Sequence, residues 1–92
     1  MPKFLIVSPH EAEELLCARI IHDFLATGSH FLTHADWGCQ DGVHTGWIFV
    51  DAASKEEARM VLPPTARPSA KIVALNKFTM EYIESVLKKH ER

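Results

Sequence analysis

The chain lacks the features that mark several large classes of protein. Its 10 Lys and Arg residues are outnumbered by 12 Asp and Glu, giving a formal net charge of −2, and the basic residues form no cluster. Binding to nucleic acid depends on basic side chains that neutralise phosphates, so the composition argues against such a partner. No apolar run approaches the ~20 residues of a membrane-spanning helix. Without repeats or low-complexity segments, residues 1–92 are expected to form one domain.

Cysteine is also scarce, with Cys17 and Cys39 as the two examples. The apolar stretch Phe4–Val7 is too short for the core of a signal peptide, which predicts a cytoplasmic protein. Thiols stay reduced in that compartment, so no disulfide is required. Cys17 lies among the apolar positions of a predicted helix and is expected to be a core residue.

The most informative stretch is a predicted hairpin within residues 31–50, which turns at Asp41 and Gly42. Asp-Gly is a strong signal for a two-residue β-turn because both residues tolerate positive φ. Such a turn pairs Trp37 with Gly46 and places Cys39 directly opposite His44. A three-residue loop would instead separate Cys39 from His44, so their proximity depends on the turn type.

Cys39 and His44 suggest a metal site, with His10 as a third ligand. Thiolate and imidazole groups are ligands for zinc, nickel and copper. Ser8, Pro9 and Glu11 resemble a helix start, which predicts that His10 lies in the first turn of a helix that ends before Gly28. The helix dipole would favour a neutral imidazole there. The alternative is that Cys39 is only a small residue at the hairpin end and His44 hydrogen-bonds across the strands, or that Cys39 has a redox or nucleophilic role.

The other elements complete an α+β pattern. Ser54 with Glu57 forms a capping box for a short helix that ends before Leu62, residues 70–76 form a strand, and Thr79 caps a last helix. The order strand, helix, strand, strand, helix, strand, helix predicts a ferredoxin-like βαββαβ sandwich with an antiparallel four-stranded sheet and an extra C-terminal helix. One sheet face is then left without helices, which predicts a homodimer or higher oligomer.

Several other side chains are candidates for a binding site on that uncovered face. His34 and Asp36 lie two residues apart on a predicted strand and could act as a catalytic base with an orienting carboxylate. The same face is expected to carry aromatic and hydroxyl groups, and an arginine further along could meet an anion. These candidate ligand-binding residues are Trp47, Phe49, Thr45 and Arg67. The pattern leaves open which hairpin face meets the helices, because both carry large apolar groups.

Several short motifs, spread over most of the chain, resemble those of a known family. They are Trp37-Gly38-Cys39, Gly42, His44-Thr45-Gly46-Trp47, Asp51-Ala52-Ala53-Ser54, Glu56-Glu57-Ala58, Leu62-Pro63-Pro64, Arg67, Ala70 and Asn76-Lys77-Phe78-Thr79. With them the chain resembles a family of small uncharacterised prokaryotic proteins that is similar to the dimeric α+β-barrel proteins. That group includes cofactor-free monooxygenases, lactone isomerases, YCII-type proteins and small metal-binding members. The resemblance implies the fold and dimerisation, but no activity.

Three hypotheses of function follow. The first is a dimeric module that binds a small molecule or a transition metal through the hairpin. The second is a cofactor-independent enzyme, an isomerase or monooxygenase, that acts on a small organic substrate and uses His34 or His44 as the base. The third is a structural or interaction protein with a packed dimer face. A cavity lined by His34 and Asp36 would favour the enzyme.

Overall fold

A computed structural model describes residues 1–91; Arg92 lies outside the described residues. The strands are β1 (Lys3–Pro9), β2 (Asp36–Trp37), β3 (Thr45–Asp51) and β4 (Lys71–Leu75). The α-helices are α1 (Glu14–Thr27), α2 (His30–Thr33), α3 (Lys55–Met60) and α4 (Met80–His90), and short 3-10 turns lie at Cys39–Asp41 and Pro64–Ala66. None of the helices within residues 1–91 is both long and apolar enough to cross a membrane.

The four strands form one antiparallel sheet in the order β2-β3-β1-β4. β1 lies at its centre, as its apolar run predicts, with Ile6 opposite Ile48 on one side and Ile72 on the other. The predicted class, α+β with a four-stranded antiparallel sheet, is confirmed.

The core lies between one face of the sheet and the helices. Alternate residues of β1 and β3 point to that side, and they are buried together with Phe24 of α1, Leu32 of α2 and Ala58 of α3. Phe24 and Ile6 are fully buried, each with 0% exposure. This packing answers the question left open by the sequence, because Ile48 and Val50 belong to the hairpin face that meets the helices.

Several predicted element ends are confirmed by their capping contacts. Gly28 ends α1 in the left-handed conformation, with φ of 72°. Ser54 caps α3 by accepting a hydrogen bond from the backbone N–H of Glu57. Thr79 caps α4 by accepting one from the N–H of Tyr82.

Two local predictions are wrong. Ser8 does not start a helix, because β1 continues through Pro9 and α1 begins only at Glu14. The reason lies in pairing: Ser8 and Pro9 extend the ladder with β3, opposite Gly46 and Thr45. The hairpin also lacks a two-residue turn, since Cys39–Asp41 form a 3-10 turn that ends at Gly42, which has φ of 82°.

The strand pairs beyond that turn nevertheless match the prediction. Trp37 pairs with Gly46 and Asp36 pairs with Trp47. A Cβ atom on Gly46 would lie 2.7 Å from the Trp37 ring, so the ring occupies the space that a side chain would need. The predicted strand register is therefore correct, although the predicted turn type is wrong.

Candidate metal centre

Four side chains that commonly bind metals converge at one end of the sheet. They are His10, Cys17, Cys39 and His44, all half-buried, and one ligand atom from each lies within 4.8 Å of the others. Both cysteines are free thiols. The set provides two sulfur and two nitrogen ligands, the combination found in many structural zinc sites.

Three separate segments of the chain supply these side chains. His10 follows the last residue of β1, and its backbone N–H donates to the carbonyl of His44 at 3.0 Å. Cys17 lies in the first turn of α1, whereas Cys39 opens the 3-10 turn between β2 and β3. The turn is held by its own backbone, since the N–H groups of Asp41 and Val43 both donate to the carbonyl of Gly38.

The distances around the His10 ring are close to those of a coordination sphere. Its Nε2 lies 3.2 Å from Sγ of Cys17 and 3.3 Å from Sγ of Cys39. In a tetrahedral zinc site with Zn–S of about 2.3 Å and Zn–N of about 2.0 Å, sulfur and nitrogen ligands lie about 3.5 Å apart. Small movements of the side chains would therefore accommodate an ion between them.

Aromatic packing fixes the orientation of the imidazole rings. The His10 ring packs edge-on against Trp37, with centroids 5.8 Å apart, and against His44 at 5.7 Å. Trp37 in turn packs against Phe24 in the core at 4.9 Å. Within residues 1–91, the Nδ1 atoms of His10 and His44 are buried and have no hydrogen-bond partner. The rings are thus held by packing, and each retains an unused nitrogen.

The environment also shifts two ionisation equilibria. Burial lowers the pKa of His10, and the neighbouring His44 lowers it further. Burial raises the pKa of the Cys39 thiol, and the contact with Cys17 adds to that increase. At neutral pH His10 is therefore neutral and able to coordinate, while Cys39 has to lose a proton before it binds a metal.

The three predicted metal ligands, His10, Cys39 and His44, are brought together, but not by the elements that the sequence predicts. His10 lies in a loop rather than in the first turn of α1, so its neutrality results from burial and not from a helix dipole. Cys39 and His44 meet because the 3-10 turn folds back, not because they are paired residues on two strands.

Cys17 is the member of the cluster that the sequence did not predict, since it was expected to be a core residue. A helix that began at Pro9 would place Cys17 about two turns beyond His10. Because α1 begins at Glu14 instead, Cys17 is in its first turn and faces the loop that carries His10. The sequence offered one signal for Cys17, which was its composition. The chain has two cysteines, and both contribute to one cluster with two histidines.

The candidate residues of the other predicted site do not all come together, because His34 and Arg67 lie apart from the rest. His34 is not on a strand: it follows α2, and its Nδ1 contacts the carbonyl of His30 at 2.8 Å rather than Asp36. Asp36, Thr45, Trp47 and Phe49 do share the uncovered face of the sheet, as the alternation predicts. A shallow cleft of about 280 Å³ brings His34 to Phe49 but not to Asp36.

Arg67 contacts the backbone instead of an open site. Its guanidinium donates to the carbonyls of Leu62 and Met60, at 2.9 and 3.2 Å. Arg59 crosses the same segment and donates to the carbonyls of Arg67 and Ala70. The two arginines thus hold residues 60–70 against α3, which explains how this proline-containing connection is ordered.

Comparison of the chain with protein-family models, with curated proteins and with solved structures finds no match. The chemistry of the site is therefore inferred from its own residues.

Proposed function

We propose that the protein binds one zinc ion through His10, Cys17, Cys39 and His44, and that this ion fixes the β2–β3 loop to the start of α1. The convergence of the four ligand atoms within 4.8 Å carries this proposal. The buried Nδ1 of His44, which has no hydrogen-bond partner within residues 1–91, supports it, since coordination by that atom would satisfy it.

The ligand set favours zinc over the other metals that the sequence suggested. Two thiolates and two imidazoles suit the tetrahedral preference of zinc, whereas nickel(II) and copper(II) favour square-planar or tetragonal sites with nitrogen and oxygen ligands. Four protein ligands also leave no open position for a substrate. Such a closed site serves structure, while catalytic zinc sites keep one position for water.

An alternative role for Cys39 is that of a nucleophile activated by His10. A nucleophilic cysteine needs a lowered pKa so that the thiolate is present at neutral pH. Burial and Cys17 instead raise the pKa of Cys39. Zinc binding explains why four ligand groups are gathered, whereas a nucleophile would require only two of them.

The decisive experiment is metal analysis of protein purified without a tag, combined with its molar mass. We expect about one zinc per chain that survives desalting. Cobalt(II) added to the metal-free protein should produce the visible absorption of tetrahedral cobalt and a cobalt–thiolate charge-transfer band. Metal-free protein that gives octahedral cobalt spectra would contradict the proposal.

The finer features of the fold belong to the same proposal. We infer a ferredoxin-like topology, which the order β2-β3-β1-β4 and its antiparallel pairing support. The resemblance to dimeric α+β-barrel proteins, the cytoplasmic location and the enzymatic hypothesis stay predictions. A small molecule would have room in a cleft of about 620 Å³ beside His10, which Leu16 and Ser69 help to line.

A further inference from the structure

The C-terminal helix α4 is amphipathic but lies apart from the core. Its apolar residues follow helical spacing along one side, and none of the residues Met80–His90 is buried. Leu87 is 55% exposed and Met80 is 72% exposed. An isolated helix of this length is only marginally stable in water, so α4 needs a surface against which to pack.

The direction of α4 is set locally. Thr79 caps its first turn, and the ring of Phe78 stacks on Tyr82 with centroids 5.6 Å apart. Contacts of this kind between the residue before the cap and the first helical turns fix the angle at which the chain enters a helix. Within residues 1–91, α4 contributes no residue to the buried core, and the chain is elongated, with principal dimensions of 56 × 29 × 21 Å.

A second apolar surface lies on the uncovered face of the sheet. Phe49, Leu5 and Val73 form one row across β3, β1 and β4, and Trp47 with Val7 begins the next. Phe49 is 56% exposed. The three strands span about 10 Å across and about 17–23 Å along their length, which matches the ~16 Å length of α4.

The chain exposes more surface than a compact monomer of its mass would. The excess area can be compared with the area that a dimer interface would cover on α4 and on the uncovered sheet face. A monomeric protein of 10.4 kDa is expected to expose about 5,400 Å², whereas this chain exposes 6763 Å². The radius of gyration, 16.7 Å, also exceeds the ~12 Å expected for a compact domain of this length. A standard interface covers about 800 Å² on each partner, so the excess is large enough for a stable dimer.

Charged residues lie beside both apolar surfaces. Lys3 and Lys71 lie on the uncovered sheet face, beside its apolar rows, and Lys3 lies 6.0 Å from the centre of the Phe49 ring. On α4, Glu81 and Glu84 lie in the half of the helix nearest its start. A helix placed with its apolar side on this face would bring Glu84, which borders that side, near one of these lysines, whereas Glu81 lies on the polar side with Ser85.

From these observations we infer that the protein forms a homodimer in which α4 of each copy packs on the uncovered sheet face of the other. The arrangement buries both apolar surfaces through one two-fold axis. It does not depend on zinc, because the four metal ligands lie at a different part of the chain.

The first test measures the dimer dissociation constant by analytical ultracentrifugation for four proteins. The parent chain is expected to be a dimer. Leu87→Glu on α4 and Phe49→Glu on the sheet should each raise the dissociation constant at least thirtyfold, the effect expected at an interface hot spot. Ser85→Glu is the matched control, since it adds the same charge on the polar side of α4 and should leave the constant unchanged. Far-ultraviolet circular dichroism reports whether each variant is folded.

The second test mixes the two weakened variants. Reciprocal exchange predicts a heterodimer, because the intact α4 of the Phe49→Glu chain can pack on the intact face of the Leu87→Glu chain. Contacts between isotope-labelled Leu87 methyls and Trp47 of unlabelled chains should appear by NMR in mixed parent dimers. A monomeric parent chain, a dimer insensitive to Leu87→Glu, or a dimer without these intermolecular contacts would overturn the proposal.

Discussion

Nε2 of His10 lies 3.2 Å from Sγ of Cys17, although one residue follows a strand and the other lies in a helix. The same nitrogen lies 3.3 Å from Sγ of Cys39, so one imidazole connects two chain segments that are far apart in sequence. The interaction joins an imidazole to two thiols, and these groups gain and lose protons at different pH. The proposed zinc site can therefore be tested by replacing the cysteines, by removing the metal and by varying the pH.

Replacing either cysteine should weaken zinc binding strongly. Cys17→Ser and Cys39→Ser each remove a thiolate, and we expect affinity to fall by more than the roughly hundredfold change that loss of an outer-shell partner can cause. The measurement is competition with a chromophoric chelator. His34→Gln serves as control, because His34 lies in another part of the surface and its loss should leave affinity unchanged.

Removal of the metal should lower the melting temperature. A ligand at 1,000 times its dissociation constant stabilises the folded state by about 4 kcal/mol, which corresponds to roughly 16 °C or more for a domain of this size. Calorimetry with and without a strong chelator measures the difference. Hydrogen exchange should increase chiefly at residues 38–46. Equal melting temperatures for both samples would argue against a zinc ion that stabilises this fold.

Zinc binding should release protons and become tighter as the pH rises. The raised pKa of Cys39 means that its thiol is protonated at pH 7 before zinc binds, so at least one proton per zinc should be released. The pKa of His10 is lowered, so that ring contributes no proton at this pH. Calorimetric titration in buffers with different ionisation enthalpies counts the protons. A pH-independent affinity between pH 6 and pH 8 would exclude Cys39 as a thiolate ligand.

The close approach of Trp37 to Gly46 should make that glycine intolerant of substitution. A Cβ at this position would lie 2.7 Å from the ring, and overpacking of this kind costs about 1–3 kcal/mol. Denaturant unfolding of Gly46→Ala measures the loss. If the ring is responsible, Trp37→Leu should reduce the cost of Gly46→Ala in a double-mutant cycle. A cost that is the same in both backgrounds would point to the backbone instead.

Much of the fold could be predicted because its signals are local and mutually consistent. The apolar run of β1 indicated a buried strand, and the caps at Ser54 and Thr79 marked the start of two helices. The pairing of Trp37 with Gly46 was predicted from a turn centred on Asp41 and Gly42, and it holds although the turn itself is longer. Each of these signals depends on a few neighbouring residues.

The errors arose where distant contacts override a local preference. Ser8 and Pro9 resemble a helix cap, but the ladder between β1 and β3 continues through both residues. Asp41 and Gly42 favour a tight turn, yet the hydrogen bonds to the carbonyl of Gly38 fold a longer one. The fourth residue of the cluster, Cys17, was missed because its position depends on the first of these errors.

The central place of β1 in the sheet has a consequence for synthesis of the chain. As the first strand to leave the ribosome, β1 gains one neighbour with β3 but has to wait for residues 71–75 before β4 completes its second edge. All four cluster residues, by contrast, have been synthesised once His44 is added. If the proposed zinc site forms at that stage, the ion would hold the end of β1 and the β2–β3 loop together in a nascent chain whose sheet is still unfinished.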